Sequence, residues 1–81
     1  MKADLLPRLK EIISTEWGIE PSEITPNSLL QGDLNADPLS IADLMVKLEE
    51  TFDINIPADA SSSFKSVTDI LEFISEKIDG F

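Results

Sequence analysis

The chain has 81 residues, 42% of them apolar, with sixteen acidic and six basic side chains and a formal net charge of −10. That length bounds it to one domain, residues 1–81, near the lower limit at which an apolar core alone sustains a fold. Cysteine and histidine are both absent, which excludes disulfides, thiolate metal sites and the imidazole base, so conventional enzyme chemistry is not expected.

The charge is unevenly placed. Lys2, Arg8 and Lys10 supply half of the bases, and from Glu11 onward fifteen acids face three bases, a charge of −12. Such a field repels phosphate backbones and anionic headgroups and speeds encounter with basic surfaces. A positively charged protein is therefore the expected partner, and nucleic acid is not. No apolar run approaches the roughly 20 residues that span a bilayer, and the start Met-Lys-Ala-Asp lacks an apolar signal core. We expect a cytoplasmic chain without membrane insertion, complete from its own Met1.

Leu5, Leu9, Ile12, Ile13 and Trp17 recur at helical spacing and predict an amphipathic helix over residues 4–17. Asp4 is the expected N-cap, Pro7 the third helical residue, and Gly18 the residue that ends the helix. Residues 18–36 carry Gly18, Pro21, Pro26, Asn27, Gly32 and Asn35 between the apolar anchors Ile19, Ile24, Leu29, Leu30 and Leu34. They predict a long loop with one short helical turn near Pro21 to Ile24, an unusual length for a compact domain. Asp37 then reads as the N-cap of a second helix with Pro38 at N1, where proline's fixed φ is already suitable.

At about 100° per residue, Ile41, Leu44, Met45, Leu48 and Phe52 share the core face of that helix, while Leu39, Ala42 and Val46 fall roughly opposite. The segment Ile54-Asn55-Ile56-Pro57 leaves the helix, and residues 57–63 predict a short third one, weakened by Ser61-Ser62-Ser63. Ser66 with Asp69 approximates a capping box ahead of a final stripe of Val67, Ile70, Leu71, Ile74 and Ile78, ended by Gly80. Trp17, Phe52, Phe64 and Phe73 are expected to pack rather than to form a ligand box. No internal repeat is present.

The run from Asp33 to Pro57, including Asp-Leu-Asn-Ala-Asp-Pro-Leu and Leu-Glu-Glu-Thr-Phe-Asp-Ile-Asn-Ile-Pro, resembles the second-helix region of acyl carrier proteins. The resemblance covers nearly the whole chain. It implies an all-α fold, a small four-helix bundle with a long loop between the first and second helices and a short third helix. In that family the motif is Asp-Ser-Leu, and its serine carries 4′-phosphopantetheine. Here Pro38 stands in the serine's place and offers no hydroxyl to attack the coenzyme A pyrophosphate, so no cofactor is expected on Pro38.

The same resemblance makes the outward face of the second helix a docking surface for acyl-metabolism enzymes such as synthases, acyltransferases and ligases. Leu39, Ala42 and Val46 form its apolar centre, and Asp37, Asp43, Glu49, Glu50 and Asp53 its acidic rim. The alternative is a plain solvated acidic face. Lys47 departs from the small or neutral residue usual in the family. An acyl chain would enter a gap lined by Leu44, Met45, Leu48, Phe64, Ile70 and Leu71, narrowed because Ile70 is bulkier than the usual alanine.

Two further constellations fail on inspection. Asp33-x-Asn35-x-Asp37 copies the first ligand positions of a calcium loop, but Pro38 and Leu44 occupy the places of its glycine and final glutamate, so no metal site is expected. Ser40 is a hydroxyl near the motif, yet it points about 200° around the axis from Pro38. The resulting expectation is a non-enzymatic, monomeric carrier-like protein of fatty-acid, polyketide or related acyl metabolism that docks without a covalent arm. The alternative is a genuine covalent carrier using another serine such as Ser40, or a carrier whose attachment residue has been altered.

Overall fold

The computed structural model describes residues 2–79 and the side chains of residues 5–78. Helix α1 spans Lys2–Trp17, a 3-10 turn Pro21–Glu23, α2 Pro38–Phe52, α3 Ala58–Ser61 and α4 Val67–Asp79. Among the described residues there is no strand, and the order of elements is that of the expected four-helix bundle. Helix α1 is the hub, touching α2, α4 and the 3-10 turn.

Leu5, Leu9 and Ile13 are the buried stripe of α1, with Ile12 and Trp17 half-buried against the same core. The helix begins two residues before the predicted cap, so Asp4 lies in its first turn rather than ahead of it. Lys2 and Ala3 are good helix formers and extend it at little cost; the Asp4 side chain lies outside the described residues. Pro7 consequently becomes the sixth helical residue, not the third. There it lacks the N–H that an interior residue gives to the carbonyl four positions back. The helix closes where expected: Gly18 has φ +65°, and its N–H and that of Ile19 both donate to the Ser14 carbonyl, at 2.9 and 3.3 Å.

The long loop escapes the penalty of an unstructured segment by pairing its backbone with the start of α4. Leu30 N–H donates to the Lys65 carbonyl, Val67 N–H to Ser28 and Thr68 N–H to Pro26, at 2.9, 3.1 and 2.9 Å. Extended pairing alternates side chains between two faces, so Ser28 and Leu30 are buried while Leu29 is turned outward and 48% exposed. Leu29 is therefore not the core anchor its apolar character suggests; Ile24 and Leu30 are fully buried, and Ile19 and Leu34 pack at the margin. The buried Ser28 hydroxyl accepts the Thr25 N–H at 3.0 Å and shares a hydrogen bond with the Thr25 hydroxyl. Asn35 absorbs a positive φ of 59°, a conformation that asparagine tolerates better than most residues.

Leu44, Met45 and Leu48 are buried in α2, and Ile41 and Phe52 flank them half-buried. Arg8 of α1 lies over the Phe52 ring, 4.8 Å from its centroid, which fastens the end of α2 to the first helix. Helix α3 is shorter than the predicted residues 57–63. The hydroxyls of Ser61, Ser62 and Ser63 donate to the carbonyls of Ala58, Asp59 and Ala60, competing locally for backbone acceptors. The Asp69 carboxylate accepts the N–H groups of Lys65 and Ser66 at 2.8 and 3.1 Å, supplying the acidic half of the expected box. Val67, Ile70 and Ile74 are fully buried and Leu71 half-buried, but Ile78 is 44% exposed because α4 outruns the core by a turn. Gly80 lies outside the described residues.

A methyl group at Gly18 would meet nothing within 4 Å, so Gly18→Ala isolates the cost of the left-handed backbone. We expect a loss of about 1 kcal/mol in urea unfolding, with unchanged helicity.

Candidate functional site

The site is built at the start of α2. The Asp37 carboxylate accepts the Ser40 N–H at 2.7 Å, and Pro38 follows at N1, where a missing N–H costs no intrahelical bond. Donation from the Ser40 N–H and then from its hydroxyl holds the Asp37 carboxyl below the ordinary aspartate range. Pro38 itself is exposed, and its ring carries no nucleophilic atom. Ser40 is half-buried on the opposite side, where its carbonyl accepts the Trp17 indole N–H at 3.4 Å.

Along α2 the outermost line is Leu39 and Val46, 71% and 53% exposed, with the exposed carboxylates of Asp43 and Glu50 beside them. Asp53 is the exposed left-handed C-cap, φ 54°. Ala42 is exposed too, but toward α3 rather than on the outer ridge. Glu49 is placed differently from the rest of the predicted rim: it is half-buried, and its carboxylate accepts the Ile56 N–H at 2.7 Å. That bond ties the α2–α3 connection to α2. The signal was present in the helical phase, since Glu49 lies at about 20° from Pro38, next to the core-facing Met45, and about 70° from the outer ridge.

Beside Pro38 is a depression of about 190 Å³ bounded by Gln31, Pro38, Ile41, Ala42, Ser61, Ser62 and Phe64. A neighbouring one of about 320 Å³ shares Gln31, Ser62 and Phe64 and extends to Leu29, Leu30, Gly32 and Lys65. Of the six residues predicted to line an acyl gap, only Phe64 borders either space. Leu44, Leu48 and Ile70 have no exposed surface, Met45 is 5% exposed and Leu71 half-buried, so these five pack in the core. The depressions owe their location to the loop and α3, neither of which sequence periodicity addresses.

The calcium-like triplet is also turned to structural use. Asp33 accepts the Leu29 N–H at 2.7 Å and Asp37 caps α2, so both carboxylates are committed to backbone donors.

Residues 7–74 match the family model described as the phosphopantetheine attachment site. The acyl carrier protein of Thermosynechococcus vestitus (strain NIES-2133 / IAM M-273 / BP-1) is 32% identical over 77 residues, 95% of each chain. The chain belongs to the acyl carrier protein family. Acyl carrier proteins are carriers rather than enzymes, they interact with the enzymes of acyl metabolism, and 4′-phosphopantetheine is the group their family carries. No helix among the described residues is long and apolar enough to cross a membrane.

The Asp37 cap gives this carrier-family fold a pH signature. A carboxylate whose pKa is depressed by folding stabilises the protein above its unfolded pKa, near 3.9, and that contribution is lost as pH falls through the lower, folded value. Asp37→Ala should therefore lower the melting temperature at pH 6–7, and the gap to the native protein should close as the carboxylate protonates at acid pH. Asp37→Asn retains a capping oxygen and should recover most of the neutral-pH stability without that pH dependence. Parallel circular-dichroism melts of the three proteins measure both effects.

Proposed function

We propose that this protein docks enzymes of fatty-acid, polyketide or related acyl metabolism through the outer face of α2 but carries no covalent arm at residue 38. The observation behind this is the intact helix start around a residue without a nucleophile. Asp37 caps, Pro38 opens the helix, and Leu39 and Val46 project from it into solvent. Forming the family's phosphodiester needs a side-chain hydroxyl to attack phosphorus, and Pro38 has none, so the residues present do not fit the group there. Ser40 is an unsuitable substitute: its N–H and hydroxyl engage Asp37, and its carbonyl accepts from Trp17.

What persists is recognition. Leu39 and Val46 offer apolar area, and Asp43, Glu50 and Asp53 offer the charge that attracts a basic surface at low salt. A protein with this face and no arm would occupy a carrier-binding surface as a decoy, adaptor or regulatory subunit, acting as a cytoplasmic monomer without chemistry of its own.

The native protein, incubated with coenzyme A and a broad-specificity phosphopantetheinyl transferase, should keep its intact mass. A gain of one phosphopantetheine group on any residue would overturn the proposal. Pro38→Ser should become a substrate, since only the nucleophile is restored. Adding Leu39→Asp to Pro38→Ser should cut kcat/KM for that modification by about tenfold or more through loss of a buried apolar contact and its replacement by a charge. Helicity should not change, and an unaltered rate would count against α2 docking.

A further inference from the structure

A separate depression opens where the α3–α4 connection meets the side of α4. It encloses about 230 Å³ between Ser63, Phe64, Asp69, Glu72, Phe73 and Glu76, and only Phe64 also borders the spaces beside Pro38. Phe64 and Phe73 form its apolar corner, with ring centroids 5.4 Å apart and planes crossing at 67°. Both rings are half-buried and keep surface open to the depression.

The charges around this corner are sorted by the helix. Relative to Phe73, Asp69, Glu76 and Glu72 lie about 40°, 60° and 100° around the α4 axis in one direction, and Lys77 about 40° in the other. Glu72 and Glu76 are exposed one turn apart, and among the described residues neither has a hydrogen-bond or ion-pair partner. Like charges at that spacing destabilise a helix. Asp69 is fixed in place, its Oδ2 accepting the N–H groups of Lys65 and Ser66. What the corner takes is indicated within the chain itself: the Lys77 ammonium stands 5.3 Å from the Phe73 centroid, over a π-system that attracts cations. Lys77 does not border the depression, so the carboxylate side of the ring is left open.

We infer that this corner receives an arginine side chain of a partner protein. A space of about 230 Å³ is below the roughly 300–1,000 Å³ of a small-molecule site and suits a single side chain. A guanidinium has a flat face to stack on phenylalanine and a fork of N–H donors for carboxylates, whereas an ammonium is a compact, strongly hydrated point charge. Seated between Glu72 and Glu76, it also relieves their repulsion. The surface is separate from α2, and the inference does not rest on docking there.

The test follows isotope-labelled, full-length native protein by NMR during titration with a capped tripeptide, acetyl-Gly-Arg-Gly-amide. The Phe64 and Phe73 ring resonances should shift saturably, with a Kd on the order of 10 mM. Replacing the arginine by its neutral isostere citrulline should weaken binding about 5- to 10-fold, and replacing it by lysine about 2- to 5-fold. Glu76→Gln should weaken it about 3-fold, while Glu50→Gln, which removes the same charge from α2, should leave it unchanged. Both glutamates are exposed, so neither variant disturbs the core. No saturable shift, largest shifts on α2, or equal losses from Glu76→Gln and Glu50→Gln would overturn the inference, as would citrulline or lysine binding as tightly as arginine. Binding of free agmatine without binding of the peptide would make a small cation the occupant and overturn it too.

Discussion

The hydrogen bond from the Ser40 N–H to the Asp37 carboxylate, with proline locked at the next position, determines where α2 starts and therefore its rotational phase. Phase is what this small protein depends on. One residue of slippage turns a helix by about 100°, enough to carry Leu44 and Leu48 out of the core and bring Lys47 or Asp43 toward it. Burying an unpaired charge is far costlier than losing a surface contact, so the start of α2 fixes the core and the outer ridge in the same step. The apolar centre of the proposed docking face exists because Ile41, Leu44, Met45, Leu48 and Phe52 have claimed the other side.

Carboxylates do similar work elsewhere in the chain. Asp33, Glu49 and Asp69 each accept backbone N–H groups at a turn or helix end. In a chain without cysteine or histidine they close connections that a disulfide or metal closes in other small domains. The acidic composition is therefore not only a field for partners. Part of it is consumed in satisfying backbone donors, and the acids left over along α2 and its cap, Asp43, Glu50 and Asp53, are those the helix geometry keeps outside.

This division explains what the sequence could and could not disclose. The core faces of α1, α2 and α4 were legible because an apolar period near 3.6 has one geometric solution, and Leu9, Ile13, Leu44, Leu48, Ile70 and Ile74 occupy it. Asp37, Pro38 and Gly18 were legible because their conformational limits act locally. Leu29 was not, because its orientation is set by a partner distant in the chain, the backbone of Ser66, and for Glu49 the helical phase disclosed the inward lean but not the Ile56 N–H that its carboxylate accepts. The same holds for the open space. Periodicity locates the residues that fill the interior, whereas the depressions beside Pro38 arise from how the loop and α3 are draped over it, so Phe64 alone belongs to both sets.

Fold and covalent chemistry make separable demands on residue 38. Helix initiation needs a residue that tolerates φ near −65° and needs no N–H, which proline meets better than serine. Carrier loading needs an accessible hydroxyl, which proline cannot supply. Packing behind the residue is indifferent to the choice, since the Pro38 ring is exposed and the core begins only at Ile41. A single substitution can thus remove the chemistry while leaving the ridge, its acidic flank and Lys47 in register. On the docking proposed above, the consequence of binding would be set by occupancy alone.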